Sequence, residues 1–235
     1  MIARQKTAVG IVIARGGSQR VPNKNIRNFL GVPILTRTIQ TLQSSKLFDR
    51  IILSSDSRDI IDIGLSNGIE APFVRPKGLS GDQALTAQVA NHAIDWLIKD
   101  GVSPDAEFLL AYPTAVMMTS EHLAAARELL EPGVCDFVFA GAQLPAEIQR
   151  AWWKREDHSV EPVSPIHQSS RSQDLEPAFY DAGQFYWSYR TGWSRGQSNN
   201  MRARLFEIDP LEAIDINSEA DWLRAEVMFR TLRKN

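Results

Sequence analysis

The sequence predicts an α/β fold, a mostly parallel sheet with helices on both faces and a small β-rich extension. Three observations predict it. Residues 8–67 read strand, helix, strand, helix, the alternation that builds a parallel sheet. The strand segments are continuous apolar runs, as expected where a sheet is covered on both faces. Residues 143–203 then form a long, weakly periodic stretch, too long for an ordinary connection and expected to serve substrate binding or dimerisation. The whole chain, 1–235, reads as a single domain with that stretch as an insertion.

The first strand is Ala8-Val9-Gly10-Ile11-Val12-Ile13, and it stops at Arg15-Gly16-Gly17-Ser18. The loop that follows carries Arg20, Lys24 and Asn25, with Pro22 as punctuation. Glycines let a backbone approach an anion closely and turn N–H groups toward it, and Arg and Lys supply charge. The pattern predicts a nucleoside triphosphate site at the end of strand one. It matches neither the P-loop nor the dinucleotide fingerprint. A helix follows, with Ile34, Leu35, Ile39 and Leu42 at helical spacing after Pro33. Residues 51–56 are a strand, and 57–67 a helix closed by Asn67-Gly68.

Residues 71–76 are extended or irregular. Ser80-Gly81-Asp82 is expected to cap a helix over about 84–100. Residues 107–111 are a buried strand broken by Tyr112-Pro113-Thr114. Thr119 or Ser120 caps a helix over about 121–130, and residues 136–142 are a further apolar strand. Residues 145–165 hold Trp152, Trp153 and short β-like pieces. Residues 166–181 are polar, 183–189 are a strand, 190–203 a loop, and 203–208 a strand. A last helix runs from Asn217-Ser218-Glu219 to about Leu232, with Trp222, Leu223, Ala225, Val227 and Phe229 inside.

Composition bounds the function. A hydrophobic content of 43% with 23% charged residues is that of an ordinary soluble domain. A net charge of −2 excludes a global attraction to nucleic acid or anionic membrane, so local basic clusters must hold any anion. The lone Cys135 cannot form an internal disulfide and reads as a buried thiol. No run of about 18 apolar residues occurs and no signal-peptide pattern precedes strand one, which leads to an expectation of a reducing cytoplasm.

The string Ile13-Ala14-Arg15-Gly16-Gly17-Ser18-Gln19-Arg20-Val21-Pro22-Asn23-Lys24-Asn25 resembles the nucleotide loop of the CMP-nonulosonic acid synthetases. Later segments follow in that family's order: Ser54-Ser55-Asp56, Arg75-Pro76, Asp82, Tyr112-Pro113-Thr114, Gln149-Arg150, residues 171–176, residues 180–187, and Ala213-Ile214-Asp215-Ile216-Asn217. Arg171-Ser172-Gln173-Asp174-Leu175-Glu176 and Asp181-Ala182-Gly183-Gln184-Phe185-Tyr186-Trp187 look most like its pseudaminic acid branch. The resemblance implies a nucleotide-diphospho-sugar transferase-like (Rossmann-like) fold. It implies CMP transfer from CTP to a nine-carbon α-keto acid sugar, yielding pyrophosphate and an activated sugar for surface glycan or flagellin glycosylation. It also implies a homodimer and Mg2+.

In this scheme Arg15, Lys24 and Asp215 are the catalytic candidates. Gly16, Gly17, Ser18, Arg20, Asn25, Asp56, Arg75 and Asp82 join Arg15 and Lys24 around the nucleotide. Asp56 reads equally as a helix cap. The acceptor, a carboxylate sugar with acetamido groups, asks for a cation, amide hydrogen-bonders and apolar walls. Tyr112, Gln149, Arg150, Arg171, Gln173, Asp181, Gln184 and Tyr186 supply those types. Asp215 is the carboxylate for magnesium, and Asn217, where the family has a second Asp, is either a ligand or the cap of the last helix. Gln19 stands where the family usually has Lys. His92 and His122 read as structural, His167 as a possible neighbour of the site, and the tryptophans as core or interface. Two other readings stay open: a cytidylyltransferase for sialic, legionaminic or 3-deoxy-manno-octulosonic acid, and a non-catalytic nucleotide-binding subunit.

Overall fold

A computed structural model of the chain describes residues 7–18, 20–194 and 202–233. Its centre is a six-stranded sheet built from β1 (Ala8–Ile13), β4 (Arg50–Ser54), β5 (Glu107–Ala111), β6 (Phe137–Gln143), β9 (Phe179–Ser188) and β10 (Ala203–Glu207), in the order β10-β6-β9-β5-β1-β4. β4, β1 and β5 pair in parallel, as do β6 and β10. β9 runs antiparallel to both β5 and β6. Two two-stranded pieces lie outside the sheet: β2 (Asn28–Phe29) with β3 (Val32–Pro33), and β7 (Trp152–Lys154) with β8 (Val160–Pro162).

The apolar runs that predicted the strands are buried on both faces because successive side chains alternate sides. On one face Ala8, Val12, Leu109 and Ala111 meet Leu35, Ile39 and Leu42 of α1 (Ile34–Ser45), Ile60 of α2 (Arg58–Ser66), and Leu123 and Ala126 of α4 (Ser120–Arg127). On the other face Val9, Ile11, Phe108 and Leu110 meet Val89, Ala93, Ile94 and Leu97 of α3 (Thr86–Lys99). Helices therefore cover both faces. A third cluster packs α6 (Glu219–Leu232) through Trp222 and Ala225 onto Phe29, Ile214 and Ile216.

Several boundaries differ from the sequence expectation. α3 starts at Thr86, and its first turn is closed by the Gln88 side chain, whose Oε1 accepts from the Leu85 N–H at 3.0 Å; Ser80-Gly81-Asp82 stands earlier and caps nothing there. Residues 190–194 are not loop but the short helix α5 (Arg190–Ser194). The seven residues after it, 195–201, lie outside the described residues. Leu223 and Val227 of α6 are exposed, since its packed stripe passes through Trp222 and Ala225. The α6 cap is Ser218, whose Oγ accepts from the Asp221 N–H at 3.2 Å, so Asn217 does not serve that role. Within the long stretch residues 144–178 leave the sheet and form the β7–β8 hairpin and three 3₁₀ turns, and β9 returns to the centre before α5. Cys135 is buried, its thiol donating to the Phe137 carbonyl at 3.3 Å.

Candidate active site

The loop after β1 is held open by its own polar groups. The Gly16 N–H donates to Asp56 Oδ1 at 3.1 Å, and a Cβ on Gly16 would stand 3.0 Å from that of Ser57. A side chain at Gly16 would press Ser57 aside by a few tenths of an ångström, because the loop passes close to the end of β4. The buried Asn25 donates its amide to the Arg15 carbonyl at 2.9 Å, stapling the loop's end to its start. Arg75 is 4% exposed and donates to the carbonyls of Ala14 (3.1 Å) and Ser54 (3.4 Å), with Asp56 at 3.5 Å. Arg75, expected around the nucleotide, is mainly a clamp across the ends of β1 and β4, since most of its donors are already used on protein. Burial lowers the Arg75 pKa, and nearby Asp56 opposes that shift. Asp56 orders the loop from the other side and does not cap α2, whose N-cap is Ser57.

These groups surround a cavity of about 250 Å³ whose lining includes Arg15, Ser18, Arg20, Lys24, Arg75 and Asn217. The far wall comes from Asp82 and Tyr112. Arg15 Nη1 donates to Asp82 Oδ1 at 2.5 Å, and the Tyr112 hydroxyl lies 2.6 Å from Thr86 Oγ1. Lys24 donates to the Ile216 carbonyl at 2.7 Å and Arg20 to Asn217 Oδ1 at 2.7 Å. The loop is thereby joined to the strand-end segment 213–217, about 190 residues later in the chain. Burial lowers the Lys24 pKa, with Arg20 and Arg15 adding to the effect and Asp215 opposing it. A triphosphate meeting three cations in such a cleft would exchange water for fixed charge. Gly17 and Ser18 sit in the outer part of the loop; a Cβ on Gly17 would meet nothing within 4 Å. Gln19 lies outside the described residues.

Asp215 and Asn217 are adjacent in space as well as in sequence: Asn217 Nδ2 donates to Asp215 Oδ2 at 2.5 Å. No group of three or more His, Cys, Asp or Glu able to hold a metal occurs among the described residues. One carboxylate and one amide at the edge of a basic cavity fit a hard cation that takes most of its oxygens from water and phosphate. They do not fit an all-protein cage.

β9 delivers the remaining residues through a bulge. Between the pairs Phe139↔Tyr186 and Gly141↔Asp181, β6 advances two residues and β9 five, so residues 182–185 bulge away from β6, while Phe185 stays in register with Ala111 of β5. Gly183 has φ +62 there, and its Cβ position lies 3.5 Å from Asp215 Cγ. Asp181 takes hydrogen bonds from the Gly183 N–H at 2.8 Å and the Tyr186 hydroxyl at 2.9 Å. Burial raises the pKa of both Asp181 and Tyr186. Gln184 is 1% exposed and donates to the Glu212 carbonyl at 2.6 Å, which positions the segment leading to Asp215.

The other expected acceptor residues stand elsewhere. Gln149, Arg150, Arg171 and Gln173 lie on the 144–178 segment and line neither this cavity nor the larger one beside it. Their contacts are local: Gln149 to the Glu176 carbonyl, Arg150 to Ser172, and Arg171 to Asp174. His167 ends a 3₁₀ turn of the same segment. Sequence reasoning missed Thr86, which borders both cavities, and the aromatic walls Phe137, Phe139 and Trp193. The i, i+2 spacing of Phe137 and Phe139 places them on one strand face, the signal that could have found them.

A family model described as Cytidylyltransferase matches residues 9–211, from the first strand to beyond the last. The chain belongs to the cytidylyltransferase family. This cytidylyltransferase is 39% identical over 183 residues, 78% of each chain, to a pseudaminic acid cytidylyltransferase of Campylobacter jejuni. It is 32% identical over 214 residues to a Helicobacter pylori protein that combines pseudaminic acid cytidylyltransferase with a hydrolase for UDP-2,4-diacetamido-2,4,6-trideoxy-beta-L-altropyranose, aligning 89% of this chain with 40% of that one. Its fold is that of CMP:2-keto-3-deoxy-manno-octonic acid synthetase, solved in complex with CTP, at a TM-score of 0.69 and 13% identity over 96% of this chain and 99% of the other.

Proposed function

We propose that the enzyme transfers CMP from CTP to the anomeric hydroxyl of pseudaminic acid. The anomeric oxygen attacks the α-phosphorus in line with the bond to the β-phosphate. That bond breaks, pyrophosphate leaves, and the hydroxyl proton goes to solvent or a nearby base. Charge grows on the phosphoryl oxygens and the leaving group, so positioning and electrostatics supply the acceleration. Arg15, Arg20 and Lys24 meet the triphosphate. Asp215, with Asn217 beside it, would hold Mg2+, which neutralises phosphate charge when bound.

The observation that supports this reading is the joining of the β1 loop to segment 213–217 by Lys24 and Arg20, because Arg15, Arg20, Lys24 and Asn217 then share one cavity, with Asp215 hydrogen-bonded to Asn217. The acceptor is supported by the 39% identity to the Campylobacter jejuni enzyme. The Helicobacter pylori relative joins the same activity to chemistry on a diacetamido, deoxy sugar, which supports an acceptor of that class. The test is pyrophosphate release from CTP over a panel of nonulosonic and octulosonic acids. Release with pseudaminic acid is expected, and CTP binding without release for any acceptor would overturn the proposal.

Two further parts of the reading belong here. The 144–178 segment exposes Ile148, Trp152, Trp153 and Ile166, the last at 81%, which suits an interface with a second copy of the chain. No described helix is long and apolar enough to cross a membrane, and a buried unpaired thiol suits a reducing cytoplasm, where CTP is made.

A further inference from the structure

Asp215, the carboxylate proposed above for magnesium, is exposed, and among the described residues its side chain takes a hydrogen bond from Asn217 alone. Its position is therefore set by the backbone that carries it. Ile214 and Ile216 are buried in the α6 cluster, but apolar packing is non-directional and leaves the backbone between them free to turn. Glu212, three residues before Asp215, fixes that backbone from two sides. Its carbonyl accepts the Gln184 side-chain amide of the β9 bulge at 2.6 Å and the Ile214 N–H at 3.0 Å. Its own N–H and that of Ala213 donate to the Asp209 carbonyl at 2.8 and 3.2 Å, which closes a tight turn. Its carboxylate, 12% exposed, lies between side chains of two other elements. Arg233, just past α6, donates to it at 2.8 Å, and His122 of α4 stands 3.5 Å away. Arg233 also donates to the Met117 carbonyl at 2.6 Å, so the guanidinium is anchored too. Charge-assisted hydrogen bonds of this kind are the strong ones. Glu212 lines neither cavity, so its hold on the segment is its route to the chemistry.

We propose that Glu212 is a positioning residue for the reaction: gripped by Arg233 at its carboxylate and by Gln184 at its carbonyl, it keeps Asp215 in place for the metal. This rests on the cytidylyl transfer and the metal role of Asp215 proposed above. The β9 bulge, α4 and the end of α6 thereby converge on one turn, and that turn carries the carboxylate. Groups that stand behind a metal ligand and fix its place commonly matter about 10–100-fold in metal affinity or activity.

The test is calorimetric titration of CTP into the enzyme without acceptor, once in EDTA and once in Mg2+, for the wild type, Glu212→Gln and Arg233→Met. The wild type is expected to bind CTP more tightly in Mg2+. Glu212→Gln keeps the side chain's size and the backbone carbonyl but loses the charge that Arg233 grips. The gain in CTP affinity from Mg2+ should fall by about tenfold in this variant, while the affinity in EDTA stays unchanged. Arg233→Met, at a side chain 29% exposed, should do the same, and it decides the matter if thermal melting shows that Glu212→Gln does not fold. In steady state both variants should need more Mg2+ for half-maximal rate. A full Mg2+ gain in the folded variants, or an equal loss of CTP affinity in EDTA and in Mg2+, overturns this proposal and leaves the cytidylyl transfer standing. A wild type whose CTP affinity gains nothing from Mg2+ overturns it together with the metal role of Asp215. A wild type that binds CTP but forms no CMP-sugar with any acceptor overturns it together with the function it rests on.

Discussion

In the proposed reaction Lys24 and Asn217 are the residues whose replacement is most telling. Lys24 reaches the Ile216 carbonyl from the loop after β1, half-buried beside Arg15 and Arg20. Lys24→Met removes its charge from the triphosphate, and kcat/KM for CTP should fall about 10²–10³-fold, as when one preorganised donor to a developing oxyanion is lost. Steady-state kinetics at saturating acceptor check this. The amide of Asn217 bridges Arg20 and Asp215. Asn217→Asp turns that bridge into a carboxylate pair. The Mg2+ concentration for half-maximal rate should drop, and a magnesium titration with the same acceptor reads it. An unchanged titration would show that Asp215 suffices. Residue type in the loop singled out Lys24, and the family resemblance singled out Asn217. Not legible was how much of Arg75, Asp56 and Asn25 is used on the protein itself, because hydrogen bonds to the carbonyls of Ala14, Ser54 and Arg15 leave no periodic trace.

At the scale of elements, the β9 bulge and the α4 helix carry the strain and the charge. Gly183 sits at φ +62 inside the bulge, beside Asp215. Gly183→Ala places a Cβ in left-handed backbone, at a cost of about 1 kcal/mol or more, visible in urea unfolding. It should also lower kcat more than it raises KM for CTP, since the carboxylate moves and the loop does not. On α4, His122 lies beside Glu212 and Arg233. Burial lowers its pKa, with Glu212 opposing that shift. The unfolded chain thus binds the His122 proton more readily, and its contribution to stability is present above the unfolded value near 6.5 and lost as pH falls below it. His122→Gln should therefore lose less stability than the wild type between pH 7 and pH 5, as chemical unfolding at the two pH values would report. The strands β1, β4, β5 and β6 were legible as apolar runs. The bulge was not, because it is set by which residues of β6 oppose β9. The short α5 was not, because its sequence is rich in turn formers.

For the whole molecule, the mostly parallel sheet with helices on both faces followed from alternation alone, and the single antiparallel strand β9 is what pairing adds. Residues 143–203 stood out in the sequence for their weak periodicity, and in the fold their 144–178 part presents Trp152 and Trp153 to solvent, the latter 58% exposed. Those faces predict that Trp152→Ser with Trp153→Ser weakens self-association, read as a lower sedimentation coefficient in analytical ultracentrifugation. A wild type that sediments as a monomer at every concentration would contradict the dimer. The expected acceptor residues Arg150 and Arg171 lie on this segment rather than on either cavity, which no reading of one chain's spacing could have anticipated. The central claim is tested most directly by the mass of the product formed from CTP, Mg2+ and pseudaminic acid. The account predicts a CMP-sugar equal to CTP plus the acid less pyrophosphate, formed in step with pyrophosphate release. CTP left intact, or hydrolysed to CMP with the acid unchanged, would contradict it.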